Sequence, residues 1–279
     1  MVFALLAAGC QEGFILSPSP VRELPETPVA TPAPTQWVIA PTATPTLVPQ
    51  PTQPSPTPRR TPYFSTCSPL QGYRLDQIPE LISNPYNPPP PGSDDPHAGI
   101  DFSDRQPGTQ IALAGRAVQA VLPGRVAAVV ENRFPFGNAL LVETPLSELP
   151  EDWISGLNLP PPFTGLAPHT RLTCPQIGLP DWSSDRRSLY LLYAHMLGKP
   201  SLSLEELVDC GQELGSVGSS GNALNPHLHL EARVGPSEAR FQSLSHYDNR
   251  ATLAEMDAYC TWTVRGEFQL INPLLLSIP

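Results

Sequence analysis

The segment PHLHLEAR, residues 226–233, alternates polar and apolar side chains and predicts the β-strand on which the fold is built. Residues i and i+2 of a strand project from the same face, so His227 and His229 point the same way. Leu228 and Leu230 then project from the opposite face, as a strand packed on a hydrophobic core requires. The segment therefore places two imidazole rings side by side on a core strand.

A second segment, HAGID, begins at His97 and adds a carboxylate to a third imidazole. His97 and Asp101 are four residues apart, and Gly99 between them permits a tight backbone bend that brings both side chains together. Imidazole nitrogens and carboxylate oxygens are the ligands of catalytic zinc, which takes three protein ligands and keeps one position for water. The spacing alone does not decide which of His227 and His229 is a ligand.

A further histidine, His195, ends the apolar run LYLLYAHM at residues 189–196. By itself, a histidine in such a run is more often a buried core residue than a functional one. In the same way, the glycines of GSSG at residues 218–221 fit an ordinary hairpin turn. The joint order of the segments favours function, because five side chains that bind metals or protons are hard to explain as core filler.

This order of motifs resembles that of the lysostaphin/LytM-type zinc endopeptidases. The resemblance rests on HAGID, YAHM at 193–196, GQELGSVGSSG at 211–221 and PHLHLE at 226–231, and covers about residues 95–279 with gaps. Shorter matching segments are GTQI at 108–111, PGRV at 123–126, GNALLV at 137–142 and a closing INPL at 271–274.

The resemblance implies a fold, a metal site and a reaction. His97, Asp101 and His229 match the three zinc ligands of that family, for one Zn²⁺ per chain, and His195 and His227 match its two catalytic histidines. The implied fold is mainly β, a duplicated hybrid motif domain on a strongly bent antiparallel sheet, similar to a sandwich or barrel, with zinc in a groove. The implied activity is that of a peptidoglycan hydrolase, a metallopeptidase that cleaves peptide bonds of peptidoglycan peptides in the bacterial cell wall.

Three functions are compatible with these residues. The first is the zinc endopeptidase, in which zinc acidifies a bound water and His195 or His227 accepts its proton. The second is a non-catalytic module of the same fold that binds the cell wall or activates another hydrolase. The third is a zinc carboxypeptidase or a peptidase of other secreted proteins. A missing ligand or histidine would mark the non-catalytic module, and all five positions are filled, which favours the endopeptidase.

Two insertions interrupt the resemblance, at residues 143–187 and 235–269. In the second, TLAE is a capping-box signature that predicts a short helix over residues 252–259. Cys174 lies in the first insertion and Cys260 in the second, so disulfides are expected to pin both. Because long insertions in compact domains are commonly functional loops, these two are expected to line or narrow the groove.

Four cysteines, Cys67, Cys174, Cys210 and Cys260, form an even set without C-x-x-C spacing. In an exported protein such a set favours two disulfides over a zinc knuckle. Three connectivities are possible, and the sequence does not choose among them.

Four polar residues match no position of the motifs. His169 and His246 are expected to have surface or structural roles, and Asp94 and Asp95 are expected to be solvated. None of the four is assigned to the metal or to catalysis.

The amino-terminal part has the composition of an export signal followed by a spacer. The first residues are apolar and end in Ala-Ala-Gly-Cys, which resembles a bacterial lipobox with Cys10 as the lipidated residue, so a signal segment is predicted over residues 1–16. Residues 17–62 hold 14 prolines in 46 residues, which predicts a disordered, polyproline-like linker. The zinc peptidase domain is then expected over residues 63–279.

These features predict an exported protein of the cell envelope, anchored to the membrane by a lipid on Cys10 or otherwise secreted. The net charge is −10, from 16 Lys and Arg against 26 Asp and Glu, and no basic run forms a nucleic-acid footprint. No apolar run reaches the length of a membrane-spanning helix. We expect a monomer that does not bind nucleic acid.

Overall fold

The structure is a computed structural model that describes residue 64 and residues 66–103, 113–165, 168–177, 182 and 185–277. All of these lie in one compact unit, Pro58–Pro279. The predicted signal segment with Cys10, the predicted linker and the GTQI segment lie outside the described residues. Within the described part of the chain, no helix is both long and apolar enough to cross a bilayer.

The described residues form mainly antiparallel strands, which confirms the predicted fold class. The strands are β1 (Ile82–Asn84), β2 (Ile100–Phe102), β3 (Ala117–Gln119), β4 (Gly124–Arg133), β5 (Gly137–Pro145), β6 (Arg187–Ala194), β7 (Leu207–Val208), β8 (Glu213–Ser216), β9 (Leu228–Pro236) and β10 (Gln269–Ile271). The helices are α1 (Glu151–Gly156), α2 (Leu253–Thr263) and the 3₁₀ turns Leu75–Leu81, Leu146–Glu148 and Pro273–Ser277.

The main sheet has the order β1-β2-β9-β6-β5-β4-β7, with β10 also paired to β9, and β3 and β8 form a separate pair. Over the described residues this sheet is open, so the barrel-like alternative does not hold. The motif strand β9 pairs His229 with Asp101 of β2 on one side and with Ala194 of β6 on the other. Strand pairing therefore brings the three sequence motifs to one place.

Hydrophobic cores cover both faces of the sheet. Leu228 and Leu230 lie in one core, as the alternating pattern predicted. On the opposite face, Tyr190 of β6 packs in a second core that Trp262 and Phe268 of the second insertion complete. This second core was not predicted, because the polar and apolar alternation of β9 does not reveal that a segment distant in sequence covers the polar face of the sheet.

The second insertion contains the predicted helix. The Thr252 hydroxyl accepts the backbone N–H of Glu255 at 3.2 Å, and the Glu255 carboxylate accepts the backbone N–H of Thr252 at 2.9 Å. This capping box confirms the predicted start, but α2 continues past Tyr259 to Thr263. The complete burial of Trp262 explains the difference, since most helical stability comes from tertiary packing rather than from local signals.

Two disulfides are present, as predicted, and they settle the connectivity. Cys67 is bonded to Cys210, and Cys174 is bonded to Cys260 with their Cα atoms 5.9 Å apart. The second bond joins the two insertions directly, which confirms that a disulfide holds both.

Candidate metal centre

His97, Asp101 and His229 bring three donor atoms together where β2 pairs with β9. Oδ1 of Asp101 lies 3.1 Å from Nε2 of His97 and 2.8 Å from Nδ1 of His229. The two ring nitrogens are 3.2 Å apart, and all three donor atoms lie within 4.8 Å of one another. The three residues that match zinc ligands in sequence are therefore neighbours in space.

Each of the two histidine rings has an inner nitrogen, which faces Asp101, and an outer nitrogen, which points away from it. The hydrogen bond of the outer nitrogen decides which nitrogen carries the ring proton. Nδ1 of His97 lies 3.0 Å from the carbonyl oxygen of Pro85, and Nε2 of His229 lies 3.3 Å from Oε1 of Glu231. Both partner oxygens only accept hydrogen bonds, so these two nitrogens carry the protons and donate. In the neutral rings, Nε2 of His97 and Nδ1 of His229 then present lone pairs to Asp101.

Three lone-pair atoms that face one another require a cation between them. Burial alone would lower the pKa of His229, but the carboxylates of Asp101 and Glu231 raise it to about 9, so a proton occupies the cluster in the metal-free chain. Burial would raise the pKa of Asp101, but the close rings of His229 and His97 lower it far below its ordinary value. Two imidazole nitrogens and a carboxylate oxygen are a zinc donor set, so these residues fit a bound zinc ion.

His195 and His227 lie beside the cluster, with their ring centres 4.8 Å apart. His195 follows β6 with a φ of 63°, in the left-handed region that few non-glycine residues adopt. Nδ1 of His195 is 2.8 Å from the carbonyl oxygen of Ser220, and Nδ1 of His227 is 2.7 Å from that of Asn225. Both Nδ1 atoms therefore donate, which leaves a lone pair on both Nε2 atoms of the neutral rings.

The two rings face the cluster in different surroundings. Burial, together with the neighbouring imidazoles of His229 and His227, lowers the pKa of His195 to about 3. His195 is therefore neutral at neutral pH, and its Nε2 accepts rather than donates. Nε2 of His227 lies 3.5 Å from Oδ1 of Asp101, so this ring faces the ligand cluster directly.

A cleft of about 410 Å³ surrounds these residues, and the second insertion forms one of its walls. The hydroxyl groups of Tyr247 and Tyr259 both donate to Oδ2 of Asp94, at 2.9 and 2.7 Å. The expectation that Asp94 is solvated is therefore wrong, because this half-buried carboxylate links the second insertion to the chain just before His97. Asp95 is exposed, as expected.

The other expectations about the insertions and histidines have mixed outcomes. The second insertion lines the cleft as expected, whereas no described residue of the first insertion does so. His169 is exposed and His246 is buried, with its Nε2 3.0 Å from the carbonyl oxygen of Thr173. Both histidines thus have the surface and structural roles expected of them.

Sequence reasoning missed two residues behind His229. Glu231 contacts the outer nitrogen of the His229 ring, and Trp262 donates to Glu231. The period of the strand carried a signal for Glu231, since a residue two positions after His229 projects from the same face. Trp262 gave no comparable signal, because it lies 31 residues from Glu231 and is brought there by the fold.

No protein-family model matches the chain. The structure is similar to a mutant catalytic domain of the prophage-encoded M23 protein EnpA from Enterococcus faecalis, at 20% identity and a TM-score of 0.33, over 61% of this chain and 92% of that one. It is similar to the catalytic domain of lysostaphin from Staphylococcus simulans, at 20% identity and 0.34, over 57% and 85%. A zinc-containing peptidase from Vibrio cholerae aligns at 22% identity and 0.30, over 54% of this chain and 32% of its own length.

Proposed function

We propose that this chain is a zinc-dependent endopeptidase of the lysostaphin/LytM type that hydrolyses peptide bonds of bacterial peptidoglycan. One observation supports the proposal above all others. Two imidazole nitrogens and a carboxylate oxygen converge with their lone pairs on one point, and two further histidines face that point from within the same cleft. Histidines that only fill a hydrophobic core do not require nitrogen atoms that converge on one point.

The metal ligands in this proposal are His97, Asp101 and His229. Bound zinc supplies a Lewis acid and lowers the pKa of a bound water from 15.7 toward 7. Pro85 and Glu231 accept the outer ring protons of the two histidines and so keep the inner nitrogens available as ligands.

The proton transfers belong to His195 and His227. Nδ1 of each ring donates to a backbone carbonyl, so Nε2 is the atom of either ring that takes a proton from the attacking water. The ring that has taken it becomes a donor at Nε2 and passes the proton to the leaving amine. The other ring lines the cleft beside the reacting groups.

The proposed substrate rests on the sequence motifs. The proposed location rests on the features that indicate an exported protein. The motif order resembles peptidoglycan peptidases, and the two disulfides fit an oxidising compartment outside the cytoplasm. We therefore place the protein in the cell envelope, held by a lipid on Cys10 or secreted, where peptidoglycan peptides are available. The alternative is a non-catalytic module of the same fold that binds the wall or activates another hydrolase.

Cleavage of cross-linked peptidoglycan tests the proposal. The full chain is incubated with purified peptidoglycan, with and without a chelator, and the released fragments are identified by mass spectrometry. We expect new peptide termini that appear only without the chelator, and their masses identify the cut bond. Binding of the chain to peptidoglycan with no new termini would instead support the non-catalytic module.

A further inference from the structure

The outer nitrogen of the His229 ring meets a buried carboxylate that is itself held on its far side. Glu231 is only 3% exposed, and its Oε1 lies 3.3 Å from Nε2 of His229. Its other oxygen, Oε2, accepts the indole N–H of Trp262 at 3.1 Å and Nε–H of Arg233 at 3.1 Å. Both oxygens of Glu231 therefore have partners, and its orientation is fixed.

These partners connect the metal ligand to the second insertion. Trp262 belongs to α2, two residues after Cys260, whose disulfide ties α2 to the first insertion. The guanidinium of Arg233 stacks 4.9 Å from the Trp262 ring centre. Its Nη1 also donates to the carbonyl oxygen of Phe268 at 3.2 Å, further along the same insertion. The second insertion thus holds Glu231 in place, and Glu231 in turn contacts His229.

We propose that Glu231 is a positioning residue for His229, and that the second insertion, through Trp262, supplies the support that this role needs. Glu231 keeps the ring proton on Nε2 and turns Nδ1 toward Asp101, which leaves one arrangement of the ligand available to the metal. The proposal rests on the proposed zinc function and adds a task for the second insertion. The insertion pre-organises the metal site from behind, in addition to lining the cleft in front.

The variant Glu231→Gln tests this role with almost no change in shape. Trp262 and Arg233 both donate to the Oε2 position, so the amide oxygen occupies it and the amide N–H group faces His229. A metal-bound His229 carries its proton on Nε2, and two donors then oppose each other. We expect zinc affinity of the full chain, measured by competition with a chelator, to fall roughly 10- to 100-fold.

A second variant, Trp262→Phe, keeps the buried ion pair of Glu231 with Arg233 and an aromatic ring at position 262, but it removes the indole donor together with part of the buried ring. We expect a loss of zinc affinity of roughly two- to tenfold. Trp182→Phe is the matched control, because the same ring is shortened where Trp182 packs on Phe268 against the same core, and among the described residues Trp182 donates no hydrogen bond to Glu231. Its zinc affinity is expected to equal that of the unmodified chain.

The double variant separates positioning from simple loss of stability. If Trp262 acts through Glu231, the losses of zinc affinity in Glu231→Gln and Trp262→Phe are less than additive in the double variant. Each of the two variants is expected to keep its full loss when it is combined with Trp182→Phe. In the zinc-loaded chain, the His229 Nε2 proton is expected to give a downfield NMR signal that Glu231→Gln shifts or removes. Thermal unfolding of each metal-free variant verifies that it is folded.

Zinc affinities of Glu231→Gln and Trp262→Phe that both equal the unmodified value would overturn the inference and leave the proposed function standing. Fully additive losses would overturn the role of Trp262. An unmodified chain that binds no zinc would overturn the proposed function and, with it, the inference.

Discussion

At the scale of single residues, the four histidines of the cleft differ in where their inner nitrogens lie. His97 donates a hydrogen bond from Nδ1 to the carbonyl oxygen of Pro85, and His229 donates one from Nε2 to Glu231. The other nitrogen of each neutral ring turns its lone pair toward Asp101. His195 and His227 each donate a hydrogen bond from Nδ1 to a backbone carbonyl and turn Nε2 toward the space beside His97, Asp101 and His229. The positions of the inner nitrogens thus separate the proposed ligands from the proposed proton carriers, a distinction that the spacing of the histidines does not make.

The variant His195→Ala tests this separation. We expect one zinc ion per chain to remain bound and turnover to fall by about 10²- to 10⁴-fold, the usual contribution of a general acid or base. Metal analysis and fragment release from peptidoglycan measure the two effects on the same sample. The exposed His169→Ala is the control and should change neither, and His195→Ala with full turnover would contradict the catalytic role.

Much of this residue-level account follows from the sequence. The five site residues stand in recognisable motifs, and strand periodicity places His227 and His229 on one face. The tautomers do not follow, because the partners of the rings are set by strand register and by loops such as Pro85 and Ser220. Asp94 was misjudged for the same reason, since Tyr247 and Tyr259 reach it only in the folded chain.

At the scale of elements, the amino-terminal end of α2 has a local and testable origin. The Thr252 side chain and the Glu255 carboxylate satisfy each other's backbone N–H groups. We expect Thr252→Ala to lower the free energy of unfolding by about 1 kcal/mol, the usual value of an N-cap. Denaturant unfolding of the full chain measures it.

The exposed Ser155→Ala in α1 serves as the control for Thr252→Ala, because its hydroxyl only bonds back to the Glu151 carbonyl within the same short helix. Its free energy of unfolding is expected to stay within about 0.5 kcal/mol of the unmodified chain. Equal stabilities of the two variants would contradict the capping assignment.

Elements with a local signal were predictable and those defined by distant partners were not. The strand β9 and the start of α2 have clear patterns in the sequence, and both were found. The end of α2 and the second core depend on Trp262 and Phe268, which meet the sheet only after the chain folds. No periodicity in either segment contains that information.

At the scale of the whole molecule, the Cys174–Cys260 bond fastens the two insertions to each other across 86 residues of sequence. Replacing both cysteines by serine removes this restraint on the unfolded chain. A loop of this size gives a loss of about 4.5 kcal/mol in the chain-entropy model. We expect a clearly lower denaturant midpoint for Cys174→Ser/Cys260→Ser, and an unchanged midpoint would show that the bond does not restrain the insertions.

The sequence predicted two disulfides and a groove lined by the two insertions, but not how these parts fit together. Three connectivities were equally compatible with four cysteines, and only the fold brings Cys174 beside Cys260. Likewise, both insertions were expected at the groove, yet among the described residues only those of the second line it. Contacts between residues far apart in sequence decide the disulfide connectivity and which insertion lines the groove, and a single motif carries no information about such contacts.

The central claim is that one zinc ion held by His97, Asp101 and His229 is required for peptide hydrolysis. The most direct measurement strips the full chain of metal, returns zinc in steps, and follows bound zinc and peptidoglycan cleavage in the same sample. We expect cleavage to be absent at first, to rise in proportion to bound zinc and to stop rising at one equivalent. Cleavage by the metal-free chain, or one bound zinc without cleavage, would contradict the claim.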